Sequence, residues 1–205
     1  MTRSYIRIEG SCHEKLKALD NNLRLLSEGS MTKEDTLDCA AELLAVPRHY
    51  GKEDLLLWNL HNATDMTGEA WNDFVWYASC KAVAALACAA LTCPEVMELP
   101  RFREVLKRGS HDCVANTPPD EVPFLGHGYE SVTGFMDCME MFAKANMPVF
   151  IKDHADLLSP AFLSAFKRAE AFLTDQLIPG NVRDLWSGET YSKRACEVLD
   201  ALRAA

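Results

Sequence analysis

Six histidines, at positions 13, 49, 61, 111, 127 and 154, are the residues of this 205-residue chain whose type and spacing best suit chemistry. Three have an acid close by. His61 and Asp65 stand four apart, which puts them on one face of any helix running through both. His111 and Asp112 are adjacent, and His154 and Asp156 are two apart. Histidines and carboxylates together can hold a metal ion, which lowers the pKa of a bound water and makes it a nucleophile. The activity such a cluster would support is metal-assisted hydrolysis. A second grouping, Gly126-His127-Gly128-Tyr129-Glu130, places a histidine between two glycines. Glycine opens backbone conformations closed to other residues, so such a turn can aim His127 at a substrate or present amides to an anion. On this reading His111, Asp112, His127 and Tyr129 are the catalytic residues, with Glu130 beside them.

The order His61, His111-Asp112, Asp156 superficially resembles the ligand order of HD-domain metal phosphohydrolases, in which two His and two Asp hold the metal. In that family the His-Asp pair closes an apolar helix, whereas here it follows Lys107-Arg108-Gly109-Ser110. The match is therefore discounted. An acid beside a histidine in a helical protein is more often a structural hydrogen bond. Nucleophilic chemistry has little support: there is no Gly-x-Ser-x-Gly, no phosphate loop and no dinucleotide fingerprint. Cys113, close to His111, is the cysteine most worth testing for reactivity, and a structural role fits it better.

Charge supplies a different reading. The chain carries 30 Asp and Glu against 21 Lys and Arg, a net −9. The imbalance is local: between Glu28 and Cys80 there are ten carboxylates against three cations, and from Glu53 to Cys80 there is no Lys or Arg. Arg101, Arg103, Lys107 and Arg108 form the opposite concentration. A field of this sign repels nucleic acid and steers a basic partner. The candidate binding residues are Glu34, Asp35, Asp38, Glu42, Glu53, Asp54, Asp65, Glu69 and Asp73. Trp58, Trp71, Trp76 and Tyr77 cluster nearby; core packing explains most of them, and Trp76 or Tyr77 could line a pocket or an interface.

These residues must be positioned by helices. Ser11 and Glu14 have capping-box spacing ahead of Leu16, Leu19, Leu23 and Leu26, with Gly29 as the stop. Thr32 and Asp35 repeat the start signal, and Pro47 ends the second helix. A short buried helix is expected over 53–61. The longest, 69–93, is apolar on both sides and so needs neighbours on both sides. Its stretch 74–91 approaches a membrane span in length, but Lys81 at its middle costs roughly 3 kcal/mol on insertion and alanine returns little. A helix over 100–108 precedes a long break, 109–130, of a length often functional in compact domains. Helices over 131–146, 148–157, 159–177 and 189–203 follow. Residues 4–9 read as an extended arm without a partner strand.

The expectation is one all-α domain over 1–205: a bundle of about eight helices around the hydrophobic helix at 69–93, with a long loop at 109–130. The N-terminus shows no secretory signal, and the eight cysteines lack metal or redox spacing, which fits reduced thiols in the cytoplasm. The favoured function is binding of another protein with a basic surface, as adaptor, regulator or inhibitor, with competition against nucleic acid for that partner as one form of it. No cofactor, membrane or direct nucleic-acid contact is expected. The alternative is the metal-assisted hydrolase.

Overall fold

The computed structural model describes residues 4–44, 69–114, 131–176 and 188–204. The described residues are all-α, with eight α-helices and no strand. In chain order these are α1 (Cys12–Ser27), α2 (Lys33–Leu44), α3 (Glu69–Thr92), α4 (Phe102–Asp112), α5 (Ser131–Lys144), α6 (Met147–His154), α7 (Pro160–Gln176) and α8 (Gly188–Ala204). Short 3-10 turns at Pro94–Glu98 and Ala155–Leu157 link α3 to α4 and α6 to α7. The helix expected over 53–61, and Pro47, lie outside the described residues.

Local chemistry sets the helix starts. At α1 the Ser11 hydroxyl accepts from the Glu14 amide (3.3 Å), and the Glu14 carboxylate accepts from the Ser11 amide (2.8 Å), a complete capping box. Thr32 caps α2 through the Asp35 amide (3.1 Å). Ser159 caps α7 through the Phe162 amide (3.1 Å), with Pro160 in the first turn where its missing N–H costs nothing. Gly29, at φ 64, takes the left-handed conformation that closes α1.

Helix α3 is the centre. Every residue from Ala78 to Ala90 is buried, and the helix packs against α1, α2, α4, α5 and α6. Its alanines at 82, 84, 85, 87, 89 and 90 leave room for that many neighbours at once. On the far side, α8 packs on α5 and α7. Phenylalanines join α5 to α7: Phe142 lies edge-on to Phe162 and to Phe166, and Phe135 to Phe172, at 5.4–5.9 Å between centroids. Such pairs add roughly 1 kcal/mol each beyond the area they bury.

Two expected boundaries are corrected. Helix α4 runs to Asp112 rather than ending near Arg108, so the first residues of the expected 109–130 loop are helical. Burial outweighs the low helix propensity of Gly109-Ser110: both are buried, and the Ser110 hydroxyl donates to the Lys107 carbonyl (3.0 Å) and accepts from the Ser159 amide (2.9 Å). Helix α6 ends at His154 instead of near Leu157, tightening into the 3-10 turn. No helix among the described residues is long and apolar enough to cross a membrane.

Candidate functional site

Of the nine candidate binding carboxylates, four have described side chains, and all four lie on α2. Glu34, Asp38 and Glu42 follow one another at four-residue steps, which aligns them as a ridge along one side of the helix, with Asp35 beside them. Glu34 and Asp38 are exposed. No ion pair joins either to a cation among the described residues. Glu53, Asp54 and Asp65 lie outside the described residues. Glu69 and Asp73 sit in the first two turns of α3, and their side chains are likewise outside.

Asp35 and Glu42 are already engaged. The arm at 4–9 forms neither helix nor strand, bends at Ser4 and Tyr5, and lies between α1 and α2. Asp35 accepts from both the amide and the hydroxyl of Ser4. Glu42 accepts from the Tyr5 hydroxyl (3.2 Å), the Arg7 guanidinium (3.1 Å) and the Ile8 amide (3.0 Å). From α1, the Asn22 side chain accepts from the Ile6 amide (2.8 Å) and donates to the Ile6 carbonyl (2.7 Å), treating the arm as a neighbouring strand would. The arm therefore runs parallel to α2, with Ser4 at Asp35 and Ile8 at Glu42. The Glu42 carboxylate raises the Arg7 pKa further, with Glu9 adding to the effect. Composition could not reveal this, because the carboxylates and the arm that uses them lie about thirty residues apart.

A groove of about 560 Å³ opens between α1, α3 and α5. At its floor Lys81, almost wholly buried, pairs with Asp20 and sits 4.3 Å from the centre of the Tyr77 ring. Burial raises the Tyr77 pKa well above its ordinary value, with nearby Cys138 and Asp137 adding to the effect. Tyr77 thus lines a groove; the Trp76 side chain is not among those described. The rim is charged but internally paired: Arg24 with Glu28 (2.6 Å), Lys144 with Glu140 (2.9 Å), and Arg194 from α8 with Asp137 and Glu140. Lys144 and Arg194 hold the Glu140 carboxyl below its ordinary pKa. The first two pairs lie within one helix and only Arg194 links two helices; paired charges of this kind leave little field for a ligand.

The hydrolase residues have other partners. His111 is exposed in the last turn of α4, and Asp112 accepts from Arg108 (3.3 Å). The His-Asp pair does close a helix, but one rich in charged residues and not the apolar helix of the phosphohydrolase family. Asp156, however, pairs with Arg103 (3.3 Å) near the opposite end of α4, eight residues or about 12 Å of helix from His111. Among the described residues no three His, Cys, Asp or Glu side chains are placed to hold a metal. His61, His127, Tyr129 and Glu130 lie outside the described residues.

The basic run is likewise spent in part, on the Asp156 and Asp112 pairs and on Arg101 with Glu104 (3.3 Å). Cys113 is buried, its thiol donating to the Gly109 carbonyl (3.2 Å), so it is not presented for reaction. The Cys80 thiol meets both Cys113 and Cys138 in the core, and burial pushes its pKa far up. Among the described cysteines Cys196 is exposed, and the other six are buried.

No protein-family model, curated protein or solved structure matches the chain.

Proposed function

We propose that the chain acts by binding another protein with a basic surface, through the carboxylate ridge of α2 and the acidic sequence that follows it. The observation that carries this reading is the pair Glu34 and Asp38: exposed, one helical turn apart, and with no cation against them among the described residues. Glu28, Glu95, Glu104 and Glu140 are each matched by a Lys or Arg; Glu34 and Asp38 differ from other exposed carboxylates such as Asp153 and Asp200 in standing one turn apart on one helix, in line with Glu42. Like charges one turn apart destabilise an isolated helix by about 0.3 kcal/mol. A cationic partner relieves that repulsion and is steered by the same field. In this reading Glu53, Asp54, Asp65, Glu69 and Asp73 extend the surface, and a partner that also binds nucleic acid is inhibited by competition.

The test is charge reversal in the full chain. Glu34→Lys with Asp38→Lys leaves the melting temperature within a few degrees, since both side chains are exposed, and abolishes capture of the partner from a lysate of the native host. Unchanged capture by the reversed protein overturns the proposal.

A further inference from the structure

The cleft between α1 and α2 grips its own chain by contacts that an unrelated peptide can make. We propose that this cleft is the receptor for an extended basic segment of the partner, and that the arm at 4–8 is its intramolecular placeholder. The inference rests on the reading that the partner is a basic protein.

Three observations carry it. First, Asn22 is 0% exposed, yet both ends of its amide are spent on the backbone N–H and C=O of one residue, Ile6. That contact reads extended backbone and not a side chain. With the arm in place the Asn22 amide is covered and both of its ends are satisfied. Second, the side-chain contacts read aromatic-x-cation. Tyr5 is buried, Arg7 lies on the Glu42 carboxylate, and Ile6 between them points outward at 50% exposure. Third, Asp35, which holds the Ser4 end of the arm, neighbours Glu34 and Asp38 on α2. A segment with further cations there makes contacts that residues 4–8 do not.

The arm has a pivot at its α1 end. It joins α1 through Gly10, at φ 91, a conformation in which an added Cβ would collide with the Glu14 carboxylate. Rotation at this one residue swings the arm without disturbing the capping box of α1. While docked, the arm competes at the high effective concentration of a tethered segment. Apparent affinity for an outside segment then falls by the fraction of molecules whose cleft is open.

The probe is a fluorescein-labelled peptide, Lys-Lys-Ser-Tyr-Ile-Arg-Ile, titrated by anisotropy into the full chain. Arg7→Ala loosens the arm and leaves the cleft intact, so it binds the probe about threefold tighter than the wild type. Adding Glu42→Gln to Arg7→Ala reverses that gain. Should the double variant fail to fold, replacing the probe's own arginine with glutamine gives the same loss against Arg7→Ala alone. No saturable binding to Arg7→Ala, equal affinity for wild type and Arg7→Ala, or indifference to the probe's arginine each overturns the proposal. Probe binding with capture unaffected by reversal at Glu34 and Asp38 sinks the basic-partner reading but leaves the cleft as a peptide site. Capture that depends on those residues, with no probe binding, sinks the cleft alone.

Discussion

Lys81 shows how far a single side chain can depart from what its neighbours in sequence imply. It sits in the middle of an alanine-rich run, and its side chain is 5% exposed while that of its partner Asp20 is 56% exposed. The ammonium thus carries most of the desolvation and the carboxylate most of the water. Replacing the cation with an apolar side chain of similar length removes that penalty, whereas removing the carboxylate leaves the buried charge with the Tyr77 ring alone. Lys81→Met is therefore expected to match or exceed the wild type in urea unfolding, and Asp20→Ala to lose about 1.5 kcal/mol. The sequence identified Lys81 as an argument against a membrane span. It could not identify Asp20, sixty-one residues earlier, as the partner. The histidines illustrate the converse: spacing grouped His111, Asp112 and Asp156, and the folded chain gives each acid its own arginine.

At the scale of the element, capping chemistry was the most legible feature. Ser11 with Glu14, Thr32 with Asp35, and Ser159 with Pro160 each marked a helix start to within a residue. These signals are local, so no tertiary contact is needed to read them. The end of α4 was not legible for the opposite reason. Gly109 and Ser110 are poor helix formers, and what keeps them helical is a hydrogen bond to Ser159, forty-nine residues on. That bond also ties the end of α4 to the start of α7. Ser110→Ala leaves the buried Ser159 amide without its acceptor and is expected to cost about 2 kcal/mol, read as a lowered melting temperature. Ser110→Thr keeps the hydroxyl, and recovery of stability there separates loss of the hydrogen bond from an effect of the cavity.

At the scale of the whole molecule, acidity was legible as an amount but not as a surface. Among the described residues the carboxylates behind the net charge of −9 include ones paired with Lys or Arg, ones that hold the arm, and ones left outward, Glu34 and Asp38 on α2 among them. Glu140 belongs to the first group and gives the fold a pH dependence. Lys144 and Arg194 depress its pKa below the ordinary 4.5. Its contribution is therefore complete above that pH and is lost as pH falls through the lower, folded-state value. Glu140→Gln should be less stable than wild type at pH 6, and the gap should close as the pH is lowered below about 4.5, measured by urea unfolding at each pH. The central position of α3 was legible because apolarity on both sides admits no other place. The pairing of α5 with α8 through Arg194 was not, because it depends on which faces meet.

The meeting of Cys80, Cys113 and Cys138 bears on the molecule's history. The three sulfurs come from α3, the end of α4 and α5, and each is sealed from solvent and held protonated or hydrogen-bonded in the core. An alkylating or oxidising reagent reaches them only after those helices have parted. Adducts at these positions, counted against adducts at exposed Cys196, would act as a clock for how often each molecule has come apart, and the tally would outlast its refolding.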